Sequence, residues 1–184
     1  MSAATTTIIP TGTWTADPAH STVGFSVKHL GIATVRGSFG EFEGTLTIGD
    51  DLSSATVEGS AKIASINTSE AQRDEHLRSA DFFEAENHPQ LTFKSTGVRE
   101  IDHETFEISG DLTMHGVTNP ITLKAVLQGA ETDPWGNERV GLEVTGQINR
   151  SDWEMKFNQA LGSGNLLVSD TVKLALDISA IKQA

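Results

Sequence analysis

The sequence predicts an all-β protein, an antiparallel barrel of about eight strands. Three observations carry that prediction. Apolar residues recur at every second position in row after row, turn-forming residues separate the rows, and glycine recurs inside them. A strand turns successive side chains to opposite faces, so a period of two marks a strand with one dry face and one wet face. Parallel strands are usually buried on both sides, so one-sided strands belong to an antiparallel sheet. Glycines at 24, 44, 59, 97, 110, 129 and 146 supply bends and close approaches. A closed barrel needs these more than a sandwich does.

In chain order, the first row is Val23, Phe25 and Val27. Leu46 and Ile48 form a short row, and Ala55, Val57, Gly59, Ala61 and Ile63 a longer one. Leu91 and Phe93 come next, then Phe106, Ile108, Gly110, Leu112 and Met114. Ile121 to Leu127, Val140 to Ile148 and Val172 to Ile178 complete the set. Turn signals lie between them at Gly49-Asp50-Asp51, Asp102-His103, Asn119-Pro120, Asp133 to Asn137 and Gly162 to Asn165. Residues 67–87 break the rhythm. Ser69 with Gln72 fits a helix capping box, Asn67 with Glu70 offers a second, and helix formers follow as far as Arg78. Pro89 bars continuation. A helix near 69–79 is therefore expected across one end of the barrel, at its mouth. Residues 1–11 are small and polar enough to form a flexible arm, and 12–184 form a single domain.

Composition narrows the function. Hydrophobic residues are 37% of the 184, enough for a real core. The formal net charge of −12 sets the chain against phosphate backbones, so no nucleic-acid partner is expected. Cysteine is absent, which removes thiolate nucleophiles, disulfides and Cys-based metal sites together. No run approaches eighteen consecutive apolar residues, so no transmembrane helix is expected. The first ten residues carry no basic side chain, unlike a secretory signal, and a cytoplasmic location is expected.

The constellations that could carry chemistry are weak. Asp17, His20 and Ser21 lie within five residues, but adjacent strand positions such as 20 and 21 point to opposite faces. The six histidines form neither His-x-His nor His-Glu-x-x-His, so no metal and no cofactor is expected. Gly162-Ser163-Gly164 lacks the Lys-Ser/Thr of a phosphate loop and reads as a hairpin turn. Arg73 and Arg78 could donate to an anionic headgroup, and Phe82-Phe83 follow them directly.

Several ordered blocks carry a resemblance. They are Trp14-x-x-Asp17-Pro18-x-His20-Ser21 with Val23 to Leu30, and Arg73-Asp74-x-His76-Leu77 with Asp81-Phe82-Phe83. Pro89-x-Leu91-x-Phe93, Gly110 to Pro120, Asn149 to Trp153 and Val168-Ser169-Asp170 follow. Over residues 13–182 the chain resembles the YceI-like polyisoprenoid-binding family. The resemblance implies an extended lipocalin-like barrel with a long isoprenoid in a hydrophobic tunnel, and binding without chemistry. One departure stands out: Asp152-Trp153-Glu154 occupies the place where Asp-Phe-Gly is expected.

On this reading the tunnel walls are Phe25, Val27, Phe39, Phe42, Leu91, Phe93, Leu112, Met114, Phe157 and Leu161. Leu77, Phe82 and Phe83 belong to the helical mouth, with Arg73 and Arg78 for a headgroup. The chain would transport, store or sequester a polyprenyl chain or isoprenoid quinone, and would not be an enzyme. A fatty acid or fatty amide could use the same walls. An enzyme of the barrel mouth using His20 and Asp17, or a scaffold with a filled barrel, are the readings from other classes. Self-association as a homodimer is left open.

Overall fold

The computed structural model describes residues 9–184. Residues 1–8 of the expected N-terminal arm lie outside the described residues. Ile9 is buried in the same apolar cluster as Trp14.

Eleven strands are formed among the described residues. They are β1 (Gly12–Ala16), β2 (Thr22–His29), β3 (Ala33–Phe39), β4 (Phe42–Ile48), β5 (Thr56–Lys62) and β6 (Ile66–Asn67). After α1 (Ala71–Arg78) come β7 (Gln90–Glu100), β8 (Thr105–Met114), β9 (Val117–Thr132), β10 (Glu138–Asn149) and β11 (Val168–Lys182). Eight of them close into a ring, β1-β4-β5-β7-β8-β9-β10-β11, sealed by pairing of β1 with β11. Every pairing is antiparallel, as the one-sided rows require.

Closure depends on the length of β11. Its C-terminal end pairs with β1, while Val168 to Asp177 pair with β2. Between β1 and β2 the chain makes one turn of 3-10 helix at Pro18–His20, started by the Asp17 side chain accepting from the Ala19 amide. β1 and β2 thus act as one broken strand beside β11. β3 and β4 likewise run down together, divided by Gly40-Glu41: β3 joins β2 and the short β6, while β4 joins β1 and β5. The sequence rows missed β1, β3 and β6 and found the rest.

α1 is close to the expected span, but neither expected capping box forms. Glu70 is the N-cap, its carboxylate accepting from the amides of Gln72 and Arg73 at 3.3 and 2.7 Å. Asn67 instead accepts from the Ser69 amide, and Ser69 takes a positive φ of 66°. The helix is pinned to the strand before it by buried Asp74. Its carboxylate accepts from the amide and hydroxyl of Thr68 at 2.8 and 2.5 Å.

One end of the barrel is shut by packing. Trp14, 1% exposed, lies there with Ile48, Ala55, Phe106 and Val140, and its indole N–H donates to the Pro10 carbonyl at 3.0 Å. The other end carries α1 and the segment 79–89.

Candidate ligand-binding tunnel

The inward faces of the strands do not meet in the middle. They enclose a cavity of about 310 Å³, at the lower end of the range for small-molecule pockets. Its lining runs from Ile9, Trp14 and Leu52 at the shut end to Leu77, Phe82, Met155 and Val168 at the α1 end. Along β11 the lining spans Val172 to Ala180, eight residue steps or about 27 Å of strand, so roughly 20 Å of barrel axis at the usual tilt. The space is therefore a tunnel rather than a round pocket.

Small residues make the room. On β4 the inward sequence is Phe42, Gly44, Leu46, Ile48, and on β5 it is Val57, Gly59, Ala61. Gly44 and Gly59 are directly paired and both line the cavity. A Cβ built at Gly44 would meet the Ala16 Cβ at 3.6 Å and otherwise only the Glu58 carbonyl at 3.9 Å. Other glycines are spent differently. A Cβ at Gly37 would strike the Phe25 ring at 2.4 Å, and one at Gly110 the Phe93 ring at the same distance. There the glycine is a seat for an aromatic side chain, not a void.

The structure places most of the expected wall around this cavity. Phe25 and Val27 line it from β2, Phe39 from β3, Phe42 from β4, Leu91 and Phe93 from β7, and Leu112 and Met114 from β8. Leu77, Phe82 and Phe83 line its α1 end. Phe83 packs edge-on to Phe39, with ring centres 6.0 Å apart, in an apolar cluster that Leu91 also joins. It bridges the gap between β3 and β7 that β6 is too short to close.

Four expected residues stand elsewhere. Phe157 lies behind Phe82, ring centres 5.3 Å apart, and His76 packs against both. Residues 154–159 are not a strand, so inward alternation does not apply to Phe157. Leu161 belongs to a small turn closed by a bridge between Ala160 and Leu166, with the Leu161 amide donating to the Asn165 carbonyl at 2.9 Å. That turn is the expected hairpin at Gly162–Gly164. Arg73 spends its donors on Thr68, Nε to the hydroxyl at 2.7 Å and Nη2 to the carbonyl at 2.6 Å. Arg78, at the C-terminus of α1, does not line the cavity either. Neither arginine expected at a headgroup lines the cavity: Arg73 is held by Thr68 and Arg78 ends α1.

The cation at the tunnel is Arg150, which sequence reasoning missed. Among the described residues, three charged ones border the cavity: Glu43, Glu58 and Arg150. The two glutamates flank the paired glycines and are exposed on the outer face. Arg150 is only 5% exposed. Its Nε donates to the Ser169 carbonyl at 3.0 Å, Nη1 to Met155 at 2.6 Å and Nη2 to Val168 at 3.3 Å. A guanidinium has five N–H donors, so two remain. Burial pushes its pKa down, and the Asp170 carboxylate partly opposes this. The guanidinium also lies 5.8 Å from the centre of the Phe82 ring. Asp170 is taken up by Ser151, accepting from its amide at 2.9 Å and its hydroxyl at 2.8 Å.

The departure at Glu154 does not reach the tunnel. Glu154 follows the 3-10 turn Arg150–Trp153 in the left-handed region, φ 62°, where glycine is favoured. Its side chain turns outward to Lys156 at 2.9 Å, and that ammonium holds its carboxyl below the usual range. Trp153 before it is buried and donates from Nε1 to the Leu112 carbonyl at 2.9 Å.

Asp17 and His20 lie outside the cavity. Asp17 Oδ2 receives Arg139 Nη1 at 2.9 Å and lies 2.7 Å from His20 Nδ1. Arg139 also donates to Asp133 at 2.8 Å, and Ser21 exchanges hydrogen bonds with the main chain of Ser179. This network ties the break between β1 and β2 to the β9–β10 turn and to β11. Among the described residues no three His, Asp or Glu side chains are placed to hold a metal ion. No described helix is long and apolar enough to cross a membrane.

Comparison with known proteins agrees with this architecture. The family model of the YceI-like domain matches residues 14–180, and the chain belongs to that family. Protein YceI of Escherichia coli O157:H7 is 39% identical over 165 residues, covering 89% of this chain and 83% of its own length. The crystal structure of the Campylobacter jejuni YCEI protein superposes with a TM-score of 0.72 at 31% identity, covering 91% of this chain and 96% of that one. A polyisoprenoid binding domain from Saccharophagus degradans, implicated in plant cell wall breakdown, shares the fold at 14% identity. Its TM-score is 0.71, with 95% of this chain and 100% of that chain covered.

Proposed function

We propose that this protein binds one long apolar lipid, an isoprenoid chain or isoprenoid quinone, in the barrel tunnel and carries or sequesters it without turnover. The observation that carries the reading is the shape and chemistry of the cavity: elongated, walled by Phe, Leu, Val, Ile and Met, with buried Arg150 at the α1 end. An isoprenoid has no hydrogen-bonding group before its head, so apolar burial supplies the affinity, at about 25 cal/mol per Å² before the costs of binding. The two spare donors of Arg150 suit an oxygen-rich headgroup or a quinone carbonyl. Support also comes from the family and from the Saccharophagus degradans domain that shares this fold and is described as polyisoprenoid binding.

Binding without turnover is the reading that the placement of the candidate acid and base supports. Asp17 and His20 are committed to a brace outside the cavity, and the two carboxylates that border it, Glu43 and Glu58, are exposed on the outer face of the sheet. The test is mass spectrometry of an organic extract of the purified protein. A stoichiometric isoprenoid is expected; a fatty acid or fatty amide in its place would reassign the ligand, and an extract without lipid would remove the reading.

A further inference from the structure

The tip of the β2–β3 hairpin leaves apolar side chains in water beside the tunnel. Ile32 is 78% exposed and Leu166 46% exposed. The two belong to one structure. The Leu30 amide donates to the Leu167 carbonyl at 3.0 Å, and Asn165 Nδ2 donates to the Leu30 carbonyl at 3.1 Å, so the turn at 160–167 is fastened to the hairpin tip. Both lie close along the chain to the tunnel wall: Leu166 is two residues before Val168 and Ile32 five after Val27, and both of those line the cavity.

The outer face of the same strands is basic. Ser26 of β2 pairs with Arg36 of β3 on one side and Lys173 of β11 on the other, so both cations share its face. Lys28, two residues on, donates to the Thr34 hydroxyl at 2.8 Å. Lys28, Arg36 and Lys173 are all exposed, and none makes an ion pair among the described residues, whereas Lys62, Lys94, Arg99, Lys156 and Lys182 each have a carboxylate partner. The neighbours across the sheet on that face are Ser26, Thr34 and Gln147, with no carboxylate among them. In a chain of net charge −12 this is a local reversal of sign. Charges more than about 8 Å away are largely screened at physiological ionic strength, so the patch is felt at contact even though the whole protein is acidic.

We propose that this end of the barrel docks on an anionic lipid surface, with Ile32 and Leu166 entering the headgroup layer and Lys28, Arg36 and Lys173 facing lipid phosphates. Charge complementarity selects the occupant, because an apolar tip beside a sheet face of three unpaired cations matches a bilayer of anionic phospholipid. The position selects the purpose, because a lipid leaving the bilayer there meets Val27, Val168 and Phe82 next. This second step rests on the tunnel reading; the docking itself does not.

The test is flotation of the full chain with vesicles of phosphatidylcholine, with and without phosphatidylglycerol, at low and high salt. Binding is expected only with phosphatidylglycerol and is expected to fall with salt. Lys28→Gln, Arg36→Gln and Lys173→Gln should each weaken it roughly fivefold, and the double variant Ile32→Ser, Leu166→Ser should weaken it roughly tenfold or more. Failure of the wild-type protein to float, equal flotation with both vesicles, or variants that float like wild type would overturn the docking. So would a concentration-dependent dimer in sedimentation that is lost in Ile32→Ser, since the patch would then face a second copy. Loading from detergent with a polyprenol separates the two readings. Wild type and the Ile32→Ser, Leu166→Ser variant should load equally, whereas failure of both to load contradicts the tunnel and leaves the docking to the vesicles.

Discussion

Gly44 and Gly59 face each other across β4 and β5, a directly paired couple with both inner faces bare. Neighbouring inward positions carry Phe42, Leu46, Val57 and Ala61, so the pair removes a layer of side chains from one wall of the barrel. Neither residue has a positive φ, so nothing in the backbone demands glycine there. The space itself accounts for the residue choice. Replacing Gly44 by Leu should fill the middle of the tunnel while leaving the sheet intact, since its first carbon meets only ordinary contacts. The variant should keep its strand circular dichroism and lose at least tenfold in affinity for a polyprenol. Unchanged affinity would place the ligand elsewhere.

Phe83 is predicted to act on release. It closes the gap between β3 and β7 with its edge on Phe39. Phe83→Ala should speed lipid dissociation by an order of magnitude and change association little, since most affinity changes between related complexes lie in the off-rate. Amide exchange over residues 71–83 should slow when lipid is loaded. Equal protection with and without lipid would make the segment a fixed plug.

The Asp17 brace gives a pH prediction. Arg139, then His20, then the Ala19 amide hold the Asp17 carboxyl at about 2, below its ordinary 3.8. A carboxylate whose pKa is lower in the folded state stabilises the fold above the unfolded pKa, and loses that contribution as pH falls through the folded one. Asp17→Asn should therefore lower Tm at pH 7. The gap to wild type should shrink as pH falls from about 4 toward 2. A gap of the same size at pH 7 and pH 2 would show that the ion pair is not its source.

Glu154 holds a left-handed backbone position at a cost that glycine would not bear. Its exposed pair with Lys156 is worth little in return. Glu154→Gly should stabilise the protein by about 1 kcal/mol in denaturant unfolding, with lipid affinity unchanged because the side chain points away from the tunnel. Destabilisation would mean that Glu154 has a role beyond that pair.

Much of the barrel was legible because period-two alternation is what a half-buried strand must show. β3 escaped because its inward row reads Val35, Gly37, Phe39, and Gly37 makes way for the Phe25 ring, a fact of packing that sequence order hides. β6 has two residues, too few to show any period. Phe157 and Leu161 fall between the alternating rows, in a segment without strand geometry, so no periodicity could show which way they face. Arg150 was invisible for another reason. Its partners are main-chain carbonyls of residues 155, 168 and 169, and a carbonyl leaves no signature in side-chain spacing. Arg73 and Arg78 attracted the headgroup assignment because they sit in a charged helix beside two phenylalanines, yet Thr68 had already engaged Arg73.

The most direct test of the central claim is native mass spectrometry of the wild-type protein and of a Gly44→Leu, Gly59→Leu variant, each offered a polyprenyl phosphate from detergent. The tunnel account predicts one lipid per wild-type chain and none on the folded variant. One lipid on both, or none on either, would contradict it.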